Sequence, residues 1–245
     1  TVQGAVNALM ALNQTFEIGF EQLMGEAIVE KGRIKLRGQE YDLLVLPAMS
    51  HTTGCMLKVI RDFVSSGGRL VMINDVPLKD IDTMLDAEIV EMAGLNQGEV
   101  ESALNKAFGK EKTPFSQVIH EKDNVYFVVT NEFDMNDKGK LAAGKFTELV
   151  GSCLQGMEPP VLQLEPCNGI IASHRRAGDS HFIIIANDTQ KRQIVSGRVN
   201  LPYSIAALDT DSGIPRMISI DKKVGYTIFE IELDGFESIV LAAAE

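Results

Sequence analysis

Residues 41–75, YDLLVLPAMSHTTGCMLKVIRDFVSSGGRLVMIND, decide the fold. Leu43–Leu46 is a short unbroken apolar run, as expected of a strand covered on both faces. Pro47 ends it. Leu57, Ile60, Phe63 and Val64 then recur at helical spacing. Gly67-Gly68 closes that helix, because glycine takes the left-handed C-terminal conformation without strain. Leu70–Ile73 reads as a second buried strand. A strand–helix–strand unit of this length requires parallel pairing and a crossover. Open parallel sheets place ligands at the carboxyl ends of their strands. Here those ends read Pro47-Ala48-Met49-Ser50 and Asn74-Asp75-Val76-Pro77, which are poor in reactive side chains.

Around this unit the first part of the chain alternates helices and short strands. Val2–Leu12 reads as a helix that is apolar nearly all round. Thr15–Ile18 reads as a short strand and Glu21–Gly25 as one helical turn. Ala27–Leu36 alternates about Lys31-Gly32, the pattern of a small hairpin. Ile81–Ala93 and Glu99–Phe108 have helical periodicity, the latter stopped by Gly109. Phe115–His120 and Val125–Val129 read as strands around an Asp123-Asn124 turn, so they can pair as a hairpin. Asp137–Leu154 reads as a helix with Leu141, Phe146, Leu149 and Val150 inward.

After Met157-Glu158-Pro159-Pro160 the helical period stops. Seven candidate strands follow: 169–173, 182–186, 193–199, 204–208, 216–220, 226–233 and 238–242. Turn signals such as Ala177-Gly178-Asp179 and Asp211-Ser212-Gly213 separate them. Strands at this spacing without helices argue for an antiparallel sandwich. The expected organisation is therefore an α/β domain over 1–157, with a parallel sheet, and an all-β sandwich over 160–245.

Composition limits the function. The 245 residues are 45% hydrophobic and 23% charged, the balance of a soluble globular protein. The net charge of −11 disfavours nucleic acid as a partner. No apolar run is long enough to span a bilayer, so no membrane partner is expected. Cys55, Cys153 and Cys167 lack metal-ligand spacing and a disulfide framework. Three reduced thiols favour a reducing compartment such as the cytoplasm, although a secreted or periplasmic parent is compatible with the rest. Thr1 stands where a Met is usual, and the chain reads as an excised part of something longer. The sequons at Asn13 and Asn187 read as chance matches in a bacterial protein.

Each candidate for chemistry has a plainer reading. Cys55 opens a helix after Thr53-Gly54, and a helix N-terminus can activate a thiol. His51 is near in sequence as a base, but no acidic partner is evident, and bulky Met56 departs from a nucleophile elbow. A helix-packing cysteine is the plainer reading. His51, His120, His174 and His181 form no ligand pair of short spacing. His174 and His181 flank a hairpin turn and can face each other, but a third metal ligand is not apparent. Asp80 with Asp82, Asp86 with Glu88, and Asp209 with Asp211 are carboxylate pairs that sequence proximity alone does not place across a cleft. Asp209–Gly213 lacks the distal Glu of a calcium loop and reads as a tight turn. Gly67-Gly68 follows a helix and cannot cradle a phosphate. No cofactor or metal is expected. Tyr203 and Tyr226 are the only tyrosines of the β half, few for a sugar-stacking platform.

The hairpin tip Glu30-Lys31-Gly32-Arg33, the run Gly38-Gln39-Glu40-Tyr41-Asp42-Leu43-Leu44-Val45-Leu46-Pro47 and the run Phe63–Val71 resemble the class I glutamine-amidotransferase-like, flavodoxin-type domain of large multidomain glycoside hydrolases. His174-Arg175-Arg176 followed by His181–Asn187 is similar to the opening of the C-terminal β-sandwich of α-L-rhamnosidase-type enzymes. Ala207–Gly213 fits less strictly, with Leu208-Asp209 where Trp-Asp is more usual. Ile231–Leu233 and Ser238–Leu241 fit the last two strands. The resemblance implies a non-catalytic C-terminal fragment of a glycoside hydrolase. It implies catalytic carboxylates on an upstream (β/α) barrel absent from this chain, and no nucleophilic Cys in the embedded domain. No catalytic residue carries over. It also implies a strand before the first helix, so that either upstream sequence supplies it or the sheet is gapped. The expected partners are that upstream domain, possible carbohydrate, and a possible second copy in a homo-oligomer. Two alternatives stand beside it: an autonomous amidotransferase-like hydrolase using Cys55 with His51, and a carbohydrate-binding module.

Overall fold

The computed structural model describes residues 2–48, 51–74, 79–80, 96–109, 114–122, 124–132, 144–165, 167 and 169–244. The protein is rich in sheet and carries few helices. Its residues form two compact units: Thr1–Ala8 with Glu17–Gln155, and Leu9–Phe16 with Gly156–Glu245. Among the described residues no helix is long and apolar enough to cross a membrane.

The first unit opens with α1 (Val2–Ala11) and the single turn α2 (Glu21–Met24). Helix α1 is not buried all round: Ala5, Ala8 and Leu9 are covered, whereas Val2 is 51% exposed. Three strands follow as a meander, β1 (Ile28–Glu30), β2 (Arg33–Leu36) and β3 (Gln39–Tyr41). Lys31 and Gly32 at the first tip, and Arg37 and Gly38 at the second, all have positive φ. Two successive left-handed residues match the twist of paired strands, which is why Lys-Gly and Arg-Gly suit these tips. The predicted hairpin is present, and β3 extends it.

The stretch 41–75 folds as expected in outline. Strand β4 (Leu43–Leu46) is followed by a two-residue strand β5 (His51–Thr52), helix α3 (Gly54–Ser65) and β6 (Arg69–Ile73). Strands β4 and β6 pair in parallel, Leu43 with Arg69 through Leu46 with Met72. The Thr53 hydroxyl caps α3 by accepting the Met56 amide. Met56, Leu57, Val59, Ile60, Phe63 and Val64 form the buried face of α3. At its end the Gly68 amide reaches back to the Phe63 carbonyl and Gly67 takes φ +95°. This is the expected glycine stop.

One expectation fails in detail. Only Leu46 of β4 is fully buried; Leu43, Leu44 and Val45 are half-buried. The reason is position: the sheet runs β4-β6-β9-β8, so among the described residues β4 is its edge. Strand β7 (Lys79–Asp80) pairs in parallel with β5. Strands β8 (Ser116–Lys122) and β9 (Val125–Thr130) form the antiparallel hairpin that the Asp-Asn turn allowed, and β9 lies parallel to β6. One sheet is thus parallel in part. Helix α4 (Gln97–Phe108) is N-capped by the Asn96 side chain, and α5 is Lys145–Cys153. The expected helix over Ile81–Ala93 and the first part of Asp137–Leu154 lie outside the described residues. Leu149 is half-buried, while Phe146, Thr147, Val150 and Cys153 face inward. Thr15–Ile18 is not a strand; no strand pairs with it among the described residues, and Ile18 is exposed.

The second unit is two antiparallel sheets with one core between them. One sheet holds β10 (Leu162–Leu164), β13 (Gln193–Val199), β17 (Thr227–Leu233) and β16 (Ser219–Lys222), in the order β10-β13-β17-β16. The other holds β11 (Ile170–Ala177), β12 (Ser180–Asn187), β18 (Ser238–Ala244), β14 (Ile205–Asp209) and β15 (Pro215–Arg216), in the order β11-β12-β18-β14-β15. Strand β17 alternates buried and exposed residues along its whole length, the period of a strand with one face in the core. Val195, Phe229, Ile231 and Leu233 of one sheet meet Ile183, Ile185, Ile239 and Leu241 of the other in a single cluster. The run expected as one strand over 216–220 is two. Pro215-Arg216 joins β14, Ser219–Lys222 joins β17, and Met217 stands almost fully exposed at the switch. Strand β10 is an addition.

Two side chains tie this unit together. The Asn187 amide is buried and reaches the carbonyls of Lys191 (2.8 Å), Leu233 (3.3 Å) and Asp234 (2.8 Å). Its oxygen accepts from the Thr189 amide and hydroxyl and from Gln193. Strand ends of both sheets are thereby joined at one side chain. Asn13, with φ 57°, accepts the Leu164 amide through Oδ1 at 3.1 Å and donates through Nδ2 to the Leu164 carbonyl at 3.5 Å. It thus extends β10 with a side-chain bridge across 151 residues of sequence.

Candidate functional site

The carboxyl ends of the parallel strands come first, because such ends are where open sheets bind ligands. Asn74 follows β6 in a left-handed conformation, φ 62°. Its Oδ1 accepts the Thr130 amide at 2.7 Å, tying β6 to β9. The Thr130 and Ser116 hydroxyls lie 2.6 Å apart, so one donates to the other, and the remaining proton goes to Glu132, whose carbonyl is 3.1 Å from Thr130 and whose carboxylate is 2.9 Å from Ser116. At β5, Thr52 is fully buried and donates to Glu21 at 2.6 Å. These polar groups are occupied in holding strand ends together. The Asn74 Nδ2 is buried without a partner among the described residues.

Cys55 lies in the first turn of α3 and is exposed. Its Sγ stands 3.5 Å from where a β-carbon on Gly25 would lie, so it packs along that turn. The side chain of His51 lies outside the described positions, so no pairing with Cys55 is drawn. Cys153 is buried, donates to the Leu149 carbonyl at 3.2 Å, and has its thiol pKa pushed up to about 11 by that burial. Cys167 donates to the Gln193 side-chain oxygen at 2.8 Å.

The two histidines of the β11–β12 hairpin do come together. A two-residue turn at Gly178-Asp179 pairs Ala177 with Ser180, Arg176 with His181 and His174 with Ile183. His174 and His181 are therefore diagonal neighbours on one face of the ladder rather than directly opposed. Ile183 on that face is fully buried, so the pair sits at the end of the sandwich's inner side. His174 Nε2 and His181 Nδ1 are 2.9 Å apart, and the rings are parallel to within 7° with centroids 5.1 Å apart. The centroid separation exceeds the nitrogen separation by about one ring's width. The rings thus meet edge to edge, in line, and not face to face. Tyr203 leans over His181 at 6.1 Å, a contact with no local sequence signal.

Burial pushes His174 down to about 4, with smaller contributions from His181, Arg175 and Arg176. His181 is also lowered, by burial first and Arg176 second. Both rings are neutral at pH 7. Each then carries one N–H, and one such proton lies between them. With that proton between them, the facing nitrogens do not offer two free lone pairs to a common metal unless a ring swings out. Among the described residues no group of three or more His, Cys, Asp and Glu side chains gathers around a point. The chemistry of the pair is a proton held between two neutral imidazoles.

Asp209 is absorbed by its turn. Its carboxylate accepts from the Asp211 amide and from the Ser212 amide and hydroxyl, at 3.2, 2.8 and 2.7 Å. The Ser212 hydrogen bonds hold its pKa below the ordinary value. The tight-turn reading describes this loop. The side chains of the pairs Asp80 with Asp82 and Asp86 with Glu88 lie outside the described positions. In the β unit Arg198 covers the Tyr226 ring at 5.6 Å.

No protein-family model matches the sequence. No curated protein matches it significantly. Solved structures of like fold do exist. A rhamnosidase from Novosphingobium sp. PP1Y aligns with 93% of this chain and 19% of its own, at TM-score 0.54 and 15% identity. A β-galactosidase from Bacillus circulans sp. alkalophilus aligns with 99% of this chain and 37% of its own, at TM-score 0.55 and 11% identity. A GH42 β-galactosidase from G. stearothermophilus aligns over 99% and 36%, at TM-score 0.53 and 14% identity. The chain has a fold found within glycoside hydrolases, and it spans between a fifth and two fifths of the length of these three.

Proposed function

We propose that this chain is a non-catalytic accessory part of a glycoside hydrolase resembling α-L-rhamnosidases, supporting an upstream catalytic barrel or subunit contacts. The observation that carries the reading is the fold likeness over 93% to 99% of the chain, which spans both units at once and occupies a minor share of three sugar hydrolases. On this reading 1–157 is a flavodoxin-like, amidotransferase-like domain built on the parallel strands β4, β6 and β9, and 160–245 is the β-sandwich. The strand ends suit a supporting role, since Thr130, Ser116 and Glu132 are spent on one another.

Two arms test it. The 245-residue chain is assayed on aryl α-L-rhamnosides and aryl β-galactosides, and the complete reading frame containing it is assayed beside it. The expected result is turnover by the complete polypeptide alone. Turnover by the 245-residue chain that disappears in Cys55→Ser overturns the proposal in favour of an autonomous hydrolase.

A further inference from the structure

We propose that the outer face of the five-stranded sheet is a docking surface for another domain of the same polypeptide, the one that carries the catalytic barrel. This rests on the accessory-part reading above and adds to it the surface used.

The two sheets of the sandwich present unlike faces to the outside. On the outer face of the four-stranded sheet the exposed isoleucines face charges across the ladder: Ile194 pairs with Glu232, and Ile228 with Arg198 and Asp221, while exposed Ile220 pairs with buried Phe229 on the inner face. That is how a solvated sheet face is kept from sticking. On the five-stranded sheet the outward positions pair with one another. Ile171 pairs with Ala186, Ile184 with Val240, and Leu208 with the same Val240. Phe182 pairs with Ala242, which pairs with Ala206. Arg175, opposite Phe182 on its other side, is the one charge of these outward ladders among the described residues. Ile171, Phe182 and Ile184 remain 44%, 37% and 40% exposed. A contiguous apolar face of this kind marks an interaction site.

Area decides the occupant. The five strands hold 8, 8, 7, 5 and 2 residues, which at about 3.4 Å per residue and about 4.8 Å between strands give a face of roughly 490 Å². Two such faces bury about 1,000 Å². That falls short of the roughly 1,600 Å² usual between separate proteins. It lies inside the roughly 600–1,500 Å² usual between domains of one chain, where the linker supplies the effective concentration. A linked domain is therefore favoured over a second copy. The like-folded structures support the same occupant, because in them 63% to 81% of the chain lies outside the matching part (the complements of 37% and 19%).

Hydroxyl-radical footprinting of the complete polypeptide and of the 245-residue chain tests this. Phe182 is the reporter, and Met217, 95% exposed on the sheet switch, is the internal reference. The expected result is oxidation of Phe182 at least five-fold slower in the complete polypeptide, with Met217 unchanged. Equal rates in a polypeptide that contains a barrel overturn the docking surface and leave the accessory reading standing. A reading frame with no further domain overturns both. Protection of Phe182 that grows with concentration of the 245-residue chain, alongside dimer sedimentation, assigns the face to a second copy and also overturns the proposal.

Discussion

Gly32 and Gly67 meet backbone to backbone: a β-carbon on Gly32 would stand 2.9 Å from the Gly67 carbonyl carbon. The tip of the β1–β2 hairpin thus rests on the closing turn of α3. The hairpin tip leaves no room for a side chain at Gly32, whereas a β-carbon on Gly67 would meet nothing within 4 Å.

Gly32→Ala is therefore expected to destabilise the first unit by about 2–4 kcal/mol, from left-handed strain at φ +72° plus a forced backbone shift. Gly38 sits at φ +82° in open space and serves as the control. Gly38→Ala should cost only about 1–2 kcal/mol, the strain alone. Urea denaturation followed by circular dichroism measures both. Equal losses would show that the hairpin tip does not bear on α3.

Asn187→Ala should cost the β unit about 3 kcal/mol or more, because the carbonyls of Lys191, Leu233 and Asp234 and the donors of Thr189 and Gln193 lose one buried partner together. Asn187→Asp should be no milder. A carboxylate cannot donate to Lys191, Leu233 and Asp234, and it would bring a buried charge beside three carbonyl oxygens. Chemical denaturation of both variants decides; a near-wild-type Asp variant would contradict the network.

The histidine pair gives a pH dependence of stated sign. His174 is lowered from 6.5 to about 4 by burial, so the folded form binds fewer protons than the unfolded one between those values. The pair's contribution is present in full above about pH 6.5 and is lost as pH falls toward about 4. Melting temperature should drop over that window, and His174→Asn, which does not titrate, should flatten the drop. Nuclear magnetic resonance titration of the His174 ring is the direct check, and a midpoint near 6.5 would remove the effect.

The thiols should separate by exposure. At pH 8 iodoacetamide should modify Cys55 readily and leave Cys153 untouched until the chain unfolds, since Cys153 is buried and its thiol is raised to about 11. Mass spectrometry of timed samples reads this. Alkylation of Cys55 faster than a small model thiol would argue for the nucleophile reading instead.

What was legible in the sequence was whatever short-range period encodes. The alternation of Thr227–Leu233, the helical spacing of Leu57–Val64 and the Lys31-Gly32 tip each announce their structure locally, and each forms. The half-burial of Leu43–Val45 was not legible, because an apolar run is written alike for a central and an edge strand. The in-line His174–His181 contact depended on register. The two-residue turn sets a diagonal rather than a direct pair. Asn187 and Tyr203 act through partners distant in sequence, Leu233 and His181, and a polar residue in a turn carries no mark of such a reach.

The Asn13–Leu164 bridge also sets an order of events during synthesis. Residues 9–16 leave the ribosome before residues 17–155, yet they belong to a unit whose strands follow residue 156. At about 5–20 residues per second, Asn13 waits roughly 8–30 seconds for Leu164 to emerge. Over that interval the rest of the first unit can collapse, whereas residues 9–16 stay unclaimed. The closing of this early segment onto the finished sandwich is a late folding step, and the nascent chain is open to capture by chaperones until it happens.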